Sequence, residues 1–462
     1  MNTNDMKNDK ITYDEAADIM SIDGSSSAAK AEIRSIASKS HAHRLLIAAA
    51  LSDSETRILT PDTSKDIEAT INCLNSLGAD IKRENDHITV TPISINQAGP
   101  KKDADCGESG STLRFMLPVI GALGISTEIT MHGRLSERPL SPMYEELISH
   151  GMTMSPQGTN PLSVSGRLTA GDYTIAGNVS SQFVTGLLFA LPITSAPAAA
   201  DGSTKSESIL HVTGKLESRP YVDITLDVLK KSGIIITEKT LENGDTCFII
   251  PSNQTYHTDS DIPVDGDWSN AAFFLAAGAI SETVTVTGLN MNSLQGDKKI
   301  LDILKAFGAD ITISDKKNSR ADEEYRDITI APAPLHATDI DASDIPDLVP
   351  ILAVVASVAD GSTTIRNIER LRIKESDRVQ TVINTLSILG ADIYEEQSSI
   401  IINGKASLAG GSIDSCNDHR IAMAAGIAAL RCEQKVQIKN PRAVNKSYPG
   451  YYDDLNKLLY HM

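Results

Sequence analysis

Aromatic side chains are scarce in this chain: seven Phe, eleven Tyr and one Trp make up 4% of 462 residues. Positive charge is also in short supply, with 42 Lys and Arg against 60 Asp and Glu and a net charge of −18. Nucleic-acid binders present basic faces and stacking rings, so both shortages argue against a nucleic-acid partner. Cysteine is sparse as well. The five are scattered, with no CxxC pair and no His spacing that suggests zinc, which points to a reducing compartment rather than a disulfide framework or a metal site. The longest small-apolar runs, such as VPILAVVASVA, reach about 11 residues, too short to cross a bilayer. The polar, acidic opening MNTNDMKNDKITYDEAADIM is neither a secretory signal nor a basic transit peptide. These absences lead to the expectation of a cytoplasmic protein without membrane or nucleic-acid partners.

Two interleaved series of segments repeat along the chain. The first comprises SKSHAHRLLIAAAL from Ser38, ESGSTLRFMLPVIGAL from Glu108, VSSQFVTGLLFALP from Val179, GDWSNAAFFLAAGAI from Gly266, SDIPDLVPILAVVA from Ser343 and NDHRIAMAAGIAAL from Asn417. Each opens with capping residues and continues as a helix with almost no polar face, hence a buried one. The second series is LNSLGADI, ELISHGMTM, DVLKKSGIII, ILKAFGADITI and TLSILGADI, in each of which a helix ends at a Gly and a strand follows. The terminal YYDDLNKLLYHM reads as a sixth such helix cut off before its strand, and AEIRSIA, residues 31–37, is the candidate for the missing strand. Six βα repeats follow, three per domain, with the last split between the chain's ends. At 462 residues two domains are the natural size prior. The expected boundaries are a flexible tail over 1–26, domain I from 27–37 with 265–462, and domain II over 38–264.

Buried helices whose N-termini open on a cleft offer free NH groups and a partial positive charge, which suits anions. Cations gather near those starts: Lys39, Arg44, Arg114 and Arg420 at the helices, and Arg134, Arg138, Lys374, Arg378 and Lys446 in loops or at other helix starts. Two carboxylates, Asp347 in SDIPD and Glu375 in KESDR, share these neighbourhoods. Any one of these charges is more simply read as a structural ion pair, but the set reads as a polyanion cradle with two acid/base groups. The densest stretch is ERLRIKESDR, residues 369–378. Its cations alternate with Leu371 and Ile373 as in a half-buried strand, before Glu, Ser and Asp that suit the first turn of a helix.

SKSHAHR, ESGSTLR, SERP, SSQFVTGLL, LESRPY, QGD, IPD, KESDR and NDHR, collinear over about residues 32–456, resemble the EPSP synthase (3-phosphoshikimate 1-carboxyvinyltransferase) family. The resemblance implies a two-domain inside-out α/β barrel, each domain built of three βαβαββ repeats with buried helices and the active site in the cleft between the domains. It implies transfer of the enolpyruvyl group of phosphoenolpyruvate to the 5-hydroxyl of shikimate 3-phosphate by addition and elimination, on a monomer that needs no metal or organic cofactor. By the same resemblance Lys39, Gly110, Arg138, Gln182, Arg378, Arg420 and Lys446 hold phosphoenolpyruvate. Lys39, Ser40, Arg44, Ser180, Ser181, Gln182, Ser218, Asp347 and Lys374 hold the shikimate phosphate. Asp347, Glu375 and Lys39 are the implied catalytic groups, with Glu375 protonating C3 and Asp347 taking the hydroxyl proton, or the reverse. The chain departs from the family at Ser38, usually Pro, at Glu108, commonly Asn, and at Arg370, which is Asn in some members. An enolpyruvyl transferase acting on UDP-N-acetylglucosamine would carry a reactive Cys in the segment that reads GRLSERPLSPMYEEL here, which has none.

Overall fold

The computed structural model describes residues 10–24, 29–94, 101–195, 207–315, 318–320 and 323–459. Its contacts divide the chain into two compact units, one made of Ala37–Asp265 with Leu294–Gly296, the other of the N-terminal segment up to Ile36, Gly266–Ser293 and the chain from Asp297 onward. Each unit contains three four-strand paths with the same spatial order, a parallel pair followed by two antiparallel pairings. In the contiguous repeats the first two strands lie parallel, joined across a buried helix, and the third and fourth return antiparallel after a second helix.

In the Ala37–Asp265 unit the first repeat runs through helix α1 (Lys39–Ala50), strand Thr56–Leu59, helix α2 (Lys65–Leu77) and strands Asp80–Arg83 and His87–Thr91. Its opening strand, Asp261–Pro263, comes from the far end of the unit and pairs parallel to Thr56–Leu59. The second and third repeats are contiguous, with α3 (Gly110–Leu123) and α4 (Met143–Ser149), then α5 (Ser181–Ala190) and α6 (Arg219–Lys231). The other unit carries α7 (Trp268–Ile280) and α8 (Ile300–Phe307), α9 (Val349–Ala356) and α10 (Arg378–Ile388), and α11 (His419–Ala428) and α12 (Tyr451–Lys457). Helices α7, α9 and α11 pack on one another, and nearly every residue in them is buried.

Three expectations need correction. Strand Ala31–Arg34 pairs parallel to Val284–Asn290, so the segment expected to complete the sixth repeat instead opens the fourth. The sixth repeat is completed by residues assigned to the tail. Ile19–Ile22 pairs antiparallel to Val436–Lys439, and Ile11–Asp14 pairs with Ile19–Ile22, giving the sheet its third and fourth strands. Of the expected tail, residues 1–9, 25 and 26 lie outside the described residues. Finally, Glu369–Ile373 is a 3-10 turn, not a strand. Asn367, at φ 61°, turns the chain after strand Ser362–Arg366, and the alternation is not realised: Leu371 is buried but Ile373 is 40% exposed.

Ile22 is fully buried in the core of its unit. Ile22→Ala is expected to lower unfolding free energy by about 2–5 kcal/mol, as measured by urea denaturation. A mobile tail would leave the midpoint unchanged.

Candidate active site

In the Ala37–Asp265 unit, the helix starts are tied together by hydroxyls and guanidiniums. Ser38, Ser109 and Ser180 cap α1, α3 and α5, each accepting a backbone NH of the first turn. Arg44, buried on α1, donates from Nε to Thr225 Oγ1 (2.8 Å), from Nη1 to the Ser40 carbonyl (2.6 Å) and from Nη2 to the Tyr221 carbonyl (2.8 Å). Burial pulls its pKa down, yet a guanidinium with three acceptors remains a cation at working pH. Lys39 reaches Asp66 at the start of α2, with Nζ 2.8 Å from Oδ2. Ser218 precedes α6 in the left-handed region, φ 54°, and its side chain makes no cap.

Around the mouth of α3, Arg114 Nη1 donates to Gln182 Oε1 at 3.3 Å, and Gln182 Nε2 donates to Ser111 Oγ at 3.0 Å, which joins α3 to α5. A methyl group built on Gly110 would come within 2.6 Å of Arg138 Nη1 and 2.7 Å of Arg114 Nη1. The missing side chain at Gly110 is what lets two guanidiniums lie against this helix start.

In the other unit the charges converge on Arg378, whose side chain is 1% exposed. Its Nη1 donates to Asp347 Oδ1 at 2.7 Å, Nη2 to Glu375 Oε2 at 2.6 Å and Nε to Asp418 Oδ2 at 2.7 Å. Burial alone would lower its pKa, but Asp418, Glu375 and Asp347 outweigh that and raise it. Asp347 meets two further cations: Lys374 Nζ at 3.6 Å from Oδ1, and Arg420 Nη2 at 3.2 Å from Oδ2. Arg420 Nη1 also donates to the Asp347 carbonyl at 3.0 Å. Lys374 is pushed down to about 8, chiefly by burial and then by Arg378 and Arg370, against the pull of Asp347 and Glu375. Lys446 stands beside this group, donating to the Asn417 carbonyl at 2.6 Å.

Of the residues singled out in the sequence, Asp347, Lys374, Glu375, Arg378 and Arg420 thus form one ion-pair cluster. Gly110, Arg138 and Gln182 share the α3–α5 mouth, and Ser40 and Arg44 bond to each other. Ser180 and Ser181 stand at the start of α5 beside Gln182, and Lys39 is engaged with Asp66. Sequence reasoning missed Asp418, which caps α11 through the Arg420 NH and also receives Arg378, though an Asp just before a buried helix was a visible signal. It also missed Asp297 and Ser269, for which no pattern pointed beyond QGD. Among the described residues, no cluster of His, Cys, Asp and Glu could hold a metal ion.

Residues 24–455 match the EPSP synthase (3-phosphoshikimate 1-carboxyvinyltransferase) family. The 3-phosphoshikimate 1-carboxyvinyltransferase of Clostridium kluyveri is 42% identical over 91% of this chain and 93% of its own length. That of Clostridium novyi is 42% identical over 92% and 94%. Among solved structures, EPSP synthase from Acinetobacter baumannii superposes with a TM-score of 0.77 at 25% identity, over 95% of this chain and 98% of that one. The enolpyruvyl transferase NikO from Streptomyces tendae shares the fold with a TM-score of 0.71 at 17% identity.

Because the lowered pKa of Lys374 is near 8, its charge in the free protein is present below that pH and fades above it. An anion at this ammonium favours the charged form and raises the pKa again, so binding takes up a proton. Inorganic phosphate is therefore expected to bind several-fold more weakly at about pH 9 than at about pH 7, with proton uptake visible by calorimetry in buffers of different ionisation enthalpy. Lys374→Arg should flatten that dependence.

Proposed function

Since the chain belongs to the EPSP synthase family, we propose that the two groups of charged residues act on one pair of substrates. The chain transfers the enolpyruvyl group of phosphoenolpyruvate to the 5-hydroxyl of shikimate 3-phosphate and releases phosphate, the sixth step of the shikimate pathway towards chorismate and the aromatic amino acids. The observation that carries the assignment of roles is the pairing of two carboxylates, Asp347 and Glu375, on the single buried guanidinium of Arg378.

In this reading Ser40, Arg44, Ser180, Ser181, Gln182, Ser218, Asp347 and Lys374 receive shikimate 3-phosphate. Gly110, Arg138, Gln182, Arg378, Arg420 and Lys446 receive phosphoenolpyruvate, and Lys39 serves both. Two phosphates and two carboxylates enter with the substrates, and like charges about 4 Å apart repel by about 4 kcal/mol at an effective dielectric of 20. Forked arginine donors offset that repulsion and fix the planes of the anions. The 5-hydroxyl attacks C2 while C3 takes a proton, and the tetrahedral adduct then expels phosphate. Glu375 supplies the C3 proton, Asp347 accepts the hydroxyl proton, and Lys39 stabilises the developing charge. No metal or organic cofactor is required for these steps. The chain is taken to work as a cytoplasmic monomer on free metabolites. No helix among the described residues is long and apolar enough to cross a membrane. Phosphate release with shikimate 3-phosphate, and none with UDP-N-acetylglucosamine, is the direct test.

Glu375→Gln and Asp347→Asn should each lower kcat by about 100-fold or more and change either KM by less than about threefold, because shape is kept and a proton-transfer group is lost. Near-normal turnover in both variants would remove the assignment.

Gly110→Ala places a methyl group against the ends of Arg114 and Arg138, which must shift. The expected result is a raised KM for phosphoenolpyruvate, an unchanged KM for shikimate 3-phosphate, and the largest loss for glyphosate, which competes with phosphoenolpyruvate in sensitive members of the family and is longer. Equal losses for both substrates would indicate a folding defect at the mouth of α3 instead.

A further inference from the structure

Asp347 faces three cations, with Arg378 Nη1 at 2.7 Å, Arg420 Nη2 at 3.2 Å and Lys374 Nζ at 3.6 Å. Opposite charges at such distances favour the ionised carboxylate, and so weaken the group as a base. Something must restrain them if Asp347 is to accept a proton at neutral pH. The structure offers a restraint on the far side of Arg420. The same Nη2 that meets Asp347 donates to Ser269 Oγ at 2.7 Å, and Ser269 in turn donates to Asp297 Oδ2. Ser269 has one hydroxyl proton. By accepting it, Asp297 leaves the lone pairs of that hydroxyl facing the guanidinium, which fixes the direction of the relay.

We propose that Asp297 is a positioning residue for the transfer reaction: through Ser269 it holds Arg420 and shares that guanidinium's charge with Asp347, so that Asp347 keeps the proton affinity a base needs. The inference rests on Asp347 being an acid/base group. It adds a residue outside the substrate-holding and catalytic set proposed above, and one that lies in the Gly296–Lys299 turn ahead of α8.

Asp297 is 2% exposed, and the charges that act on it are Asp347, Arg420 and Asp267. Burial, then Asp347, and more weakly Asp267, push its carboxyl up to about 6, while Arg420 and the Ser269 hydroxyl pull it down. At pH 7 and above it is ionised and can balance Arg420. As pH falls through about 6 it takes a proton, and its negative charge no longer offsets that of Arg420.

The test is steady-state kinetics of the full chain with both substrates from about pH 5 to about pH 8. The parent is expected to show an inflection of kcat near pH 6, and Asp297→Asn is expected to abolish it, to lower kcat at about pH 7.5 by about tenfold or more, and to change each KM by less than about threefold. Ser269→Ala should behave in the same direction, and Ser269→Thr, which restores a hydroxyl, should recover most of the loss. A kcat within about twofold of the parent for Asp297→Asn, or kcat loss with the inflection retained, would overturn the proposal. Should Asp297→Asn fail to fold, the Ser269 pair decides: equal kcat for the Ala and Thr variants would overturn it too. Asp347→Asn is run in parallel. If that variant alone keeps normal turnover, the reading of Asp347 fails and takes the inference with it, whereas an inactive Asp347→Asn beside a normal Asp297→Asn sinks the inference alone.

Discussion

A helix buried on every side can satisfy the NH groups of its first turn only at its own mouth. Five of the six buried helices meet that constraint with a side chain: Ser38, Ser109, Ser180, Asp267 and Asp418 each accept a backbone NH of the helix they precede. This requirement concentrates hydroxyls and carboxylates at the helix starts, and the remaining NH groups with the partial positive charge make those starts receptive to anions. The sixth, α9, begins differently. It is entered through the 3-10 turn Pro346–Leu348, with Pro350 near its start and no side-chain cap. Asp347 is therefore not consumed by a helix end and is left to its cations.

The same sorting separates the acids of KESDR. Asp377 caps α10, accepting from Val379 and Gln380, and also receives Arg372 at 3.2 Å. Arg372 reaches Glu395 as well, so one of the cations that made this stretch conspicuous belongs to a partly exposed structural network. Glu375 has no cap to serve and turns to Arg378. Within ten residues, then, capping and surface ion pairing claim Arg372 and Asp377, while Lys374, Glu375 and Arg378 enter the buried ion-pair cluster.

What the sequence made legible was local. Polar caps before apolar runs and Gly after amphipathic helices depend on neighbours in the chain, and Gly78, Gly308 and Gly390 do sit at positive φ where those helices stop. Strand pairing is non-local, which is why Ala31–Arg34 was recognisable as a strand but not as the partner of Val284–Asn290. The strands Ile11–Asp14 and Ile19–Ile22 are only four residues each, so their pairing reveals them: Ile19–Ile22 with Val436–Lys439, and Ile11–Asp14 with Ile19–Ile22. In the site, cations were readable from their closeness to helix starts. Asp347 and Glu375 were readable beside them, but not Asp418 nor the meeting of all three on Arg378, because they come from positions 347, 375 and 418.

Those three carboxylates also bear on how the site can work. Lys374, Arg378 and Arg420 face Asp347, Glu375 and Asp418, so the cluster is close to neutral by itself and holds its shape through its own pairs. A buried ion pair is held together by mutual need: removing one partner costs about 3–5 kcal/mol because the other is left uncompensated. Asp418, fully buried and already capping α11, is the fixed partner of Arg378. Asp347 and Glu375 are each about a fifth exposed and can be exchanged. An incoming phosphate or carboxylate that takes the Arg378 Nη1 donor from Asp347, or the Nη2 donor from Glu375, does so at the expense of that carboxylate. Exchange turns a structural counter-ion into a carboxylate short of partners, with a raised affinity for protons. If Asp347 and Glu375 hold the acid/base roles proposed above, substrate binding and their arming are one event, driven by competition for a single guanidinium.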